Sequence, residues 1–202
     1  MTSLAVFQAN SLLNFPAATM KRARSDALTG GSKDVNPQFL SFTVTQSAGD
    51  TTTTKSVNTP IFPLSATGKS KGQALEILKV FFYYDLFPST ATGVQEIDIV
   101  LSTKNFGTTI PTEEEADSLV FASAHIKYTF TTSGASTTIY PVVMDLTDGA
   151  GHGLLIVSQN IYATLFSAGS SQANQARVKI LYRVKEVQTT ELLGILASQF
   201  QA

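Results

Sequence analysis

The stretch LVFASAHIKYTFTT, residues 119–132, alternates between apolar and polar side chains. Every second side chain from Val120 to Phe130 is apolar, and the side chains between them are polar from Ser123 onward. A period of two predicts a β-strand with one face on a core and the other on solvent. Such a strand needs neighbours, and the sequence supplies them on both sides.

Seven further segments have the composition of strands. Segment 74–85 is apolar on both faces, which predicts a central strand covered on both sides, whereas 47–55 is predicted as a polar loop. Gly-, Ser- and Thr-rich turns join the strands, and no amphipathic helix lies between any two. The segment with Pro60 and Pro63 can only be an edge or irregular strand. The seven segments are 38–46, 56–64, 74–85, 94–103, 137–146, 153–166 and 176–187.

Eight strands without helical crossovers predict an all-β fold. Long loops and an irregular second strand favour an eight-stranded antiparallel jelly-roll sandwich. We expect an N-terminal extension and basic arm at 1–36, the jelly roll at 37–188 and a C-terminal segment at 189–202. The C-terminal segment is predicted to be a short amphipathic helix with Thr189 as its N-cap. Its apolar side chains, predicted to be buried within or between subunits, are Leu192, Leu193, Leu196 and Phe200.

The composition indicates a surface that other molecules cover. Of the 202 residues 43% are hydrophobic, enough for a core, but only 14% are charged, against about 25% in ordinary soluble domains. A surface with so few charges is prone to associate with other molecules. A neutral extracellular β protein is the alternative explanation. The chain has no Cys, so neither a disulfide nor a thiolate site is available.

Basic residues cluster near the start of the chain, where MKRARSD (20–26) follows nineteen residues without a charge. Through residue 33 the chain carries four cations against Asp26 alone, while the remainder is mildly acidic. A basic arm on an acidic body is typical of a chain that meets nucleic acid at one end. Residues 1–19 lack the basic region of a signal peptide, and no run is apolar enough to predict a transmembrane helix. The four cations are Lys21, Arg22, Arg24 and Lys33.

A second group of cations lies on the last predicted strand, where basic and apolar residues alternate. The alternation places four cations on one face of a sheet. This face is either a solvated outer surface, as antiparallel sheets commonly have, or a surface that meets phosphate or an acidic neighbouring subunit. The four residues are Arg177, Lys179, Arg183 and Lys185.

No motif predicts catalysis, a metal or a cofactor. His125 lies on the polar face of its strand, and His152 lies in DGAGHG (148–153), which we interpret as a turn because it lacks the Lys of a phosphate loop. The sequence EEEAD (113–117) is predicted to be a solvated acidic loop, since it lacks the spacing of a calcium loop. No nucleophile elbow is present. We therefore expect a protein that is not an enzyme.

Three stretches carry a resemblance to a family: GGSKDVNPQFLSFTVTQ (30–46), ALEILKVFFY (74–83) and VKILYRVKEVQTTELLGILASQ (178–199). Together with the arm and the eight strands, they resemble the single jelly-roll capsid proteins of small circular single-stranded DNA viruses. The resemblance implies a structural protein of the virion that self-assembles into a small icosahedral shell, in the simplest (T=1) case of sixty copies. It implies assembly in the host nucleus or cytoplasm, and no membrane partner.

The same resemblance implies that the basic arm turns inward onto a single-stranded DNA or RNA genome, without sequence preference. The arm is shorter than the Arg-rich arms of the circovirus type. Met20 corresponds to the usual start in that family, with 1–19 an extension that packs against a neighbour. The cations at both ends of the chain are the candidate nucleic-acid-binding residues. MKRARSD could instead be a nuclear-import signal or a remnant of an older start, and the whole chain could instead be a lectin-like or cytokine-like β-sandwich binding module.

Overall fold

Nine β-strands and one helix are formed by the residues that the computed structural model describes, which are 36–61, 71–85, 93–108, 119–130 and 141–200. These residues belong to one compact unit, Asp34–Ala202. The elements are β1 (Gln38–Thr45), β2 (Thr52–Asn58), β3 (Lys71–Asp85), β4 (Gly93–Ser102), β5 (Val120–Phe130), β6 (Val142–Asp145), β7 (Leu154–Ile156), β8 (Asn160–Ala168), β9 (Gln175–Gln188) and α1 (Thr189–Phe200).

The strands form two antiparallel sheets. The first sheet has the order β1-β9-β3-β6, with β7 also paired to β3, and the second has the order β2-β8-β4-β5. The chain passes back and forth between the two sheets, which is the double Greek key of a jelly roll. The predicted jelly roll is therefore confirmed, with one difference in the strand count. Both β6 and β7 pair with β3, so nine described strands occupy eight positions.

A β-bulge in β3 explains why this strand is apolar on both faces. The register with β9 shifts between Ile77 and Lys79. Leu75 and Ile77 are fully buried before the shift, and Val80 and Phe82 are fully buried after it. The buried positions are therefore odd-numbered before the bulge and even-numbered after it. The prediction of cover on both sides holds only in part, because Tyr83 on the outer face is 39% exposed.

Two strand boundaries differ from the sequence prediction. The segment 47–55, predicted as a loop, contains most of β2, since its threonines are β-branched and pair with β8 from Thr52↔Phe166 onward. The single strand predicted at 153–166 is two strands, because the chain leaves the first sheet after Ile156 and enters the second at Asn160. Periodicity does not reveal such a crossing, since both halves are apolar.

The core lies between the sheets, and a smaller apolar cluster lies outside the first sheet. In this smaller cluster Leu192 of α1 is fully buried with Ala74, Val157 and Val187, and Leu155, Ile195 and Leu196 pack around them. The predicted C-terminal helix is confirmed, and α1 covers one end of the outer face of the first sheet. Leu193 is 57% exposed, so its predicted burial does not occur within this chain. The Phe200 side chain lies outside the described part.

Candidate nucleic-acid interface

The four cations of β9 share the outer face of the first sheet. Their neighbours Val178, Ile180 and Tyr182 point the other way, into the core. The register places Arg177 between Thr43 and Tyr83, and places Lys179 between Ser41 and Phe81. The sequence alternation therefore identified the face correctly. The surroundings of the four cations differ along the strand.

Arg183 neutralises a buried carboxylate. Glu76, on β3, is 1% exposed and accepts a hydrogen bond from Arg183 Nε and another, of 3.0 Å, from the Gly153 N–H. Arg183 Nη2 also donates to the Gly151 carbonyl at 3.0 Å. Burial opposes ionisation of Glu76, but these hydrogen bonds and the charges of Arg183 and Lys185 outweigh it and lower the pKa of the carboxyl. Arg183 thus ties the β6–β7 loop to the sheet.

The outer face is consequently divided along its length. At one end α1 covers Ala74 and Val187. Next to this end Glu76 forms its ion pair with Arg183, and the charge of Lys185 also attracts the Glu76 carboxylate. This half of the cationic stripe supports the fold. Arg177 and Lys179 lie at the other end, beyond the helix.

Aromatic side chains lie beside the cations at the end away from α1. Lys179 Nζ lies 4.0 Å from the centre of the Phe39 ring, and the Phe39 and Phe81 ring centres are 6.4 Å apart. Phe39 is 52% exposed and Tyr83 is 39% exposed. We call Phe39, Phe81, Tyr83, Arg177 and Lys179 the open patch.

The open patch has an apolar, electrically neutral border on its β6 side. Val143, opposite Phe81, is 49% exposed. Beside it Lys79 and Asp145 form an ion pair of 2.7 Å, and the pKa of Asp145 is lowered to about 2 by hydrogen bonds from Lys79 and Thr147. The Lys79–Asp145 pair therefore adds no net charge to this border.

Sequence analysis did not identify the aromatic members of the open patch as site residues. Phe39 belongs to the polar face of an otherwise regular alternation, which was the available signal. Phe81 and Tyr83 were assigned to a covered face, because the bulge in β3 cannot be recognised from the sequence pattern. The arm cations Lys21, Arg22, Arg24 and Lys33, together with the EEEAD segment, lie outside the described residues.

The outer face of the second sheet has nearly balanced charge. His125 contacts Asp98 across β4 and β5, and Lys127 contacts Glu96 one pair further along. Burial raises the pKa of Asp98 in spite of the His125 hydrogen bond. The polar position predicted for His125 agrees with its exposed side chain.

A groove of about 770 Å³ opens between β5 and the β6–β7 segment. Its lining is largely apolar and includes Phe121, Leu154 and Ile195, with His152 and Asp148 joined at 3.0 Å. The glycine segment around His152 forms the loop between β6 and β7. Within the described ranges, no cluster of three or more potential ligands could hold a metal ion, and no helix is long and apolar enough to cross a membrane.

Comparisons with known proteins find similar structures but no similar sequences. No protein-family model and no curated protein matches the chain. Among solved structures, the chain is similar to VP1 of Trichodysplasia spinulosa-associated polyomavirus in complex with sialylated glycooligomers, with a TM-score of 0.47 and 9% identity over 77% of this chain and 98% of that chain. Merkel cell polyomavirus VP1 in complex with disialyllactose matches with a TM-score of 0.44 and 8% identity over 78% and 97% of the two chains.

A third similar structure is the VP1 pentamer of human polyomavirus 6, with a TM-score of 0.44 and 12% identity over 78% of this chain and 97% of that chain. All three are viral capsid proteins with a sandwich of antiparallel strands. The jelly-roll topology of the present chain rests on its own strand register.

Proposed function

We propose that this protein is a viral coat protein whose copies assemble into a small icosahedral shell around a single-stranded DNA or RNA genome. The observation that carries the proposal is the outer face of the first sheet, where large apolar side chains stay exposed on a jelly roll that carries few charges. Sixty copies make the simplest closed shell, and the expected location is the virion.

Exposed apolar side chains occur on several elements of the chain. Phe39 and Val143 lie on the first sheet, Val94 on the second and Leu193 on α1, each between 45% and 57% exposed. On the first sheet Phe39 and Val143 both adjoin Phe81, and contiguous exposed apolar surface of this kind marks association sites in soluble proteins. Repeated identical contacts between copies close into symmetric assemblies. A closed shell would cover several of these surfaces at once.

The basic arm supports the second half of the proposal, enclosure of a genome. Lys21, Arg22 and Arg24 precede the jelly roll, and Lys33 lies just ahead of it. Cations that meet phosphates supply affinity without reading bases. The sequence resemblance to the coat proteins of small circular single-stranded DNA viruses supports the proposal that the genome is single-stranded.

Negative-stain microscopy and light scattering of the purified full chain test the assembly. We expect discrete hollow particles far larger than the 21.6 kDa chain. A monodisperse monomer at high concentration and physiological salt would overturn the shell. A trimer alone would favour the β-sandwich binding module.

Salt titration tests the arm. Each phosphate contact contributes about 0.7 to the slope of log affinity against log salt for a single strand, so Lys21, Arg22 and Arg24 together account for about 2. Replacing all three by Ala should remove that share of the slope and leave particles intact. Lys127→Ala, which removes a cation from the second sheet, is the control and should leave the slope unchanged. If the triple variant keeps the full slope, MKRARSD has another role, such as nuclear import.

A further inference from the structure

We propose that the outer face of the second sheet is a two-fold contact, on which two copies of this chain pack face to face. The carboxylates of β4 in one copy then lie over the basic side chains of β5 in the other. The inference rests on the proposed self-assembly and adds to it a defined pair of surfaces. It concerns a different face from the exposed apolar side chains of the first sheet.

Two neighbouring strands of this face carry side chains of opposite character. The outward side chains of β4 include Glu96 and Asp98, and those of β5 include Lys127 and His125, which is charged only when it is protonated. The register pairs Glu96 with Lys127 and Asp98 with His125. The face therefore has an acidic row next to a basic row, with the members of each pair at the same height along the strands.

A two-fold axis that runs parallel to the strands, midway between β4 and β5, makes this pattern complementary to itself. Rotation about such an axis keeps the height of each residue and exchanges the two rows. Lys127 of one copy therefore faces Glu96 of the other, and His125 faces Asp98. Packed sheets commonly keep their strands within about 30° of each other, so the pairs next to the axis stay opposed. The same patch on both copies forms the contact, as an isologous interface requires.

The exposure of the side chains defines where this contact lies on the sheet. The side chains of Lys127 and His125 are 56% and 53% exposed. The apolar Val94, opposite Thr129 in the register, is 45% exposed. Packing of two copies would cover Val94 and place it against Thr129 of the other copy. Val100, further along the outward side of β4, is already fully buried, so the contact ends before it.

The mixed charges favour a second copy over a polyanion as the occupant of this face. Glu96 and Asp98 would repel the phosphates of a nucleic acid, whereas a second copy offers an opposite charge to each sign. Across the axis Glu96 and Lys127 of the two copies form an alternating network of four charges. Exposed charges that form a network contribute more than isolated pairs do.

An exchange of charges within one pair tests the contact without breaking the pair in the folded chain. The double variant Glu96→Lys/Lys127→Glu, which we call the exchanged variant, keeps opposite charges across β4 and β5. Two exchanged copies remain complementary to each other, as two wild-type copies are. A wild-type copy and an exchanged copy instead oppose cation to cation and carboxylate to carboxylate. Thermal unfolding should show that the exchanged variant is as stable as the wild type.

Cross-linking through Val94→Cys, introduced into the full chain, measures which copies meet on this face. The chain has no Cys, so this thiol is the only one present. Packed sheets lie about 10 Å apart and neighbouring strands about 4.8 Å apart, so the Cα atoms at position 94 in the two copies would be about 11 Å apart. This distance suits a short bismaleimide but is too long for a disulfide.

Tagged and untagged chains are co-expressed in like and mixed combinations, purified and cross-linked. We expect like combinations to form cross-linked dimers and the mixed combination to form about tenfold fewer, because two contacts turn from attraction to repulsion. Ala150→Cys, at an exposed position between β6 and β7, is the control and should cross-link poorly. Cross-linking through Ala150→Cys as efficient as through Val94→Cys would overturn the assignment of the face.

The remaining outcomes distinguish this inference from the proposed shell. If particles form but mixed copies cross-link through Val94→Cys as often as like copies, the two-fold contact is wrong and the shell stands. If the chain forms only dimers and these show the expected discrimination, the shell fails and the contact stands. Failure of Val94→Cys to cross-link wild-type copies overturns the contact by itself, whatever the exchanged variant does.

Discussion

Replacing Arg183 by Met should destabilise the fold in a way that depends on pH. The substitution keeps a long apolar side chain but leaves the Glu76 carboxylate, which is 1% exposed, without its charge partner. Breaking a buried pair from one side costs about 3–5 kcal/mol, because an uncompensated charge stays buried. At about 2–4 °C per kcal/mol for a domain of this size, the melting temperature should fall by about 6–20 °C.

The sign of the pH dependence follows from Glu76. In the wild type its folded pKa is lowered from 4.5, so its ionised form contributes stability above that value, and this stability is lost as pH falls through the folded pKa. In Arg183→Met the largest remaining influence is burial, which should raise the folded pKa. The folded variant then binds a proton more tightly than the unfolded chain does. The difference in stability between the two proteins should therefore shrink as pH falls from 7 to about 4.

Urea unfolding followed by circular dichroism, at pH 7 and pH 4 and one fixed protein concentration, measures this difference. The double variant Glu76→Gln/Arg183→Met should recover much of the loss at pH 7, because no charge stays buried and the amide oxygen still accepts from Gly153. Lys127→Met, which breaks the exposed pair with Glu96, is the control and should change stability far less. A loss below about 1 kcal/mol at pH 7, or an equal loss at both pH values, would refute the assignment.

Two further pairs of substitutions test backbone packing and the helix. Gly153→Ala would place a Cβ 2.1 Å from the Ile77 carbonyl oxygen, so it should lower the melting temperature. Gly194→Ala, whose Cβ would have nothing within 4 Å, should instead raise helix stability by about 0.5–1 kcal/mol. Equal melting temperatures for the two variants would contradict the packing around Gly153. Leu192→Ala should lower the free energy of unfolding in urea by about 2–5 kcal/mol, because Leu192 is fully buried. Leu193→Ala should have little effect on the stability of the folded chain, because Leu193 is exposed. A large loss for Leu193→Ala alone would show that the buried face of α1 is assigned wrongly.

The architecture could be predicted from the sequence where one face of a strand is polar. The alternation in β4, β5 and β9 follows directly from a sheet with a core on one side, and the helical spacing of Leu192 and Leu196 gave α1. The prediction failed where tertiary pairing overrides local composition. The threonines of β2 appear as a loop in a sequence pattern, but β8 supplies a partner for each of them.

The candidate site could be predicted only in part for a similar reason. The alternation of side chains along a strand was enough to predict that the four cations of β9 share one face of the sheet. The pairing of Arg183 with Glu76 and the cover by α1 could not be predicted in this way, because both come from distant positions in the chain. Spacing alone could not assign Phe81 and Tyr83 to this face, because one inserted residue in β3 exchanges the inner and outer faces.

The position of β9 also has a consequence for biosynthesis. It is the last strand in chain order, yet it lies between β1 and β3, and β1 has no other partner in its sheet among the described strands. Gln38 pairs with Tyr182, so a ribosome must make most of the chain before β1 can be incorporated. Pairings of such sequence separation fold slowly. The outer face of this sheet is completed only when β9 inserts, so nascent subunits should lack that face until synthesis has passed this strand.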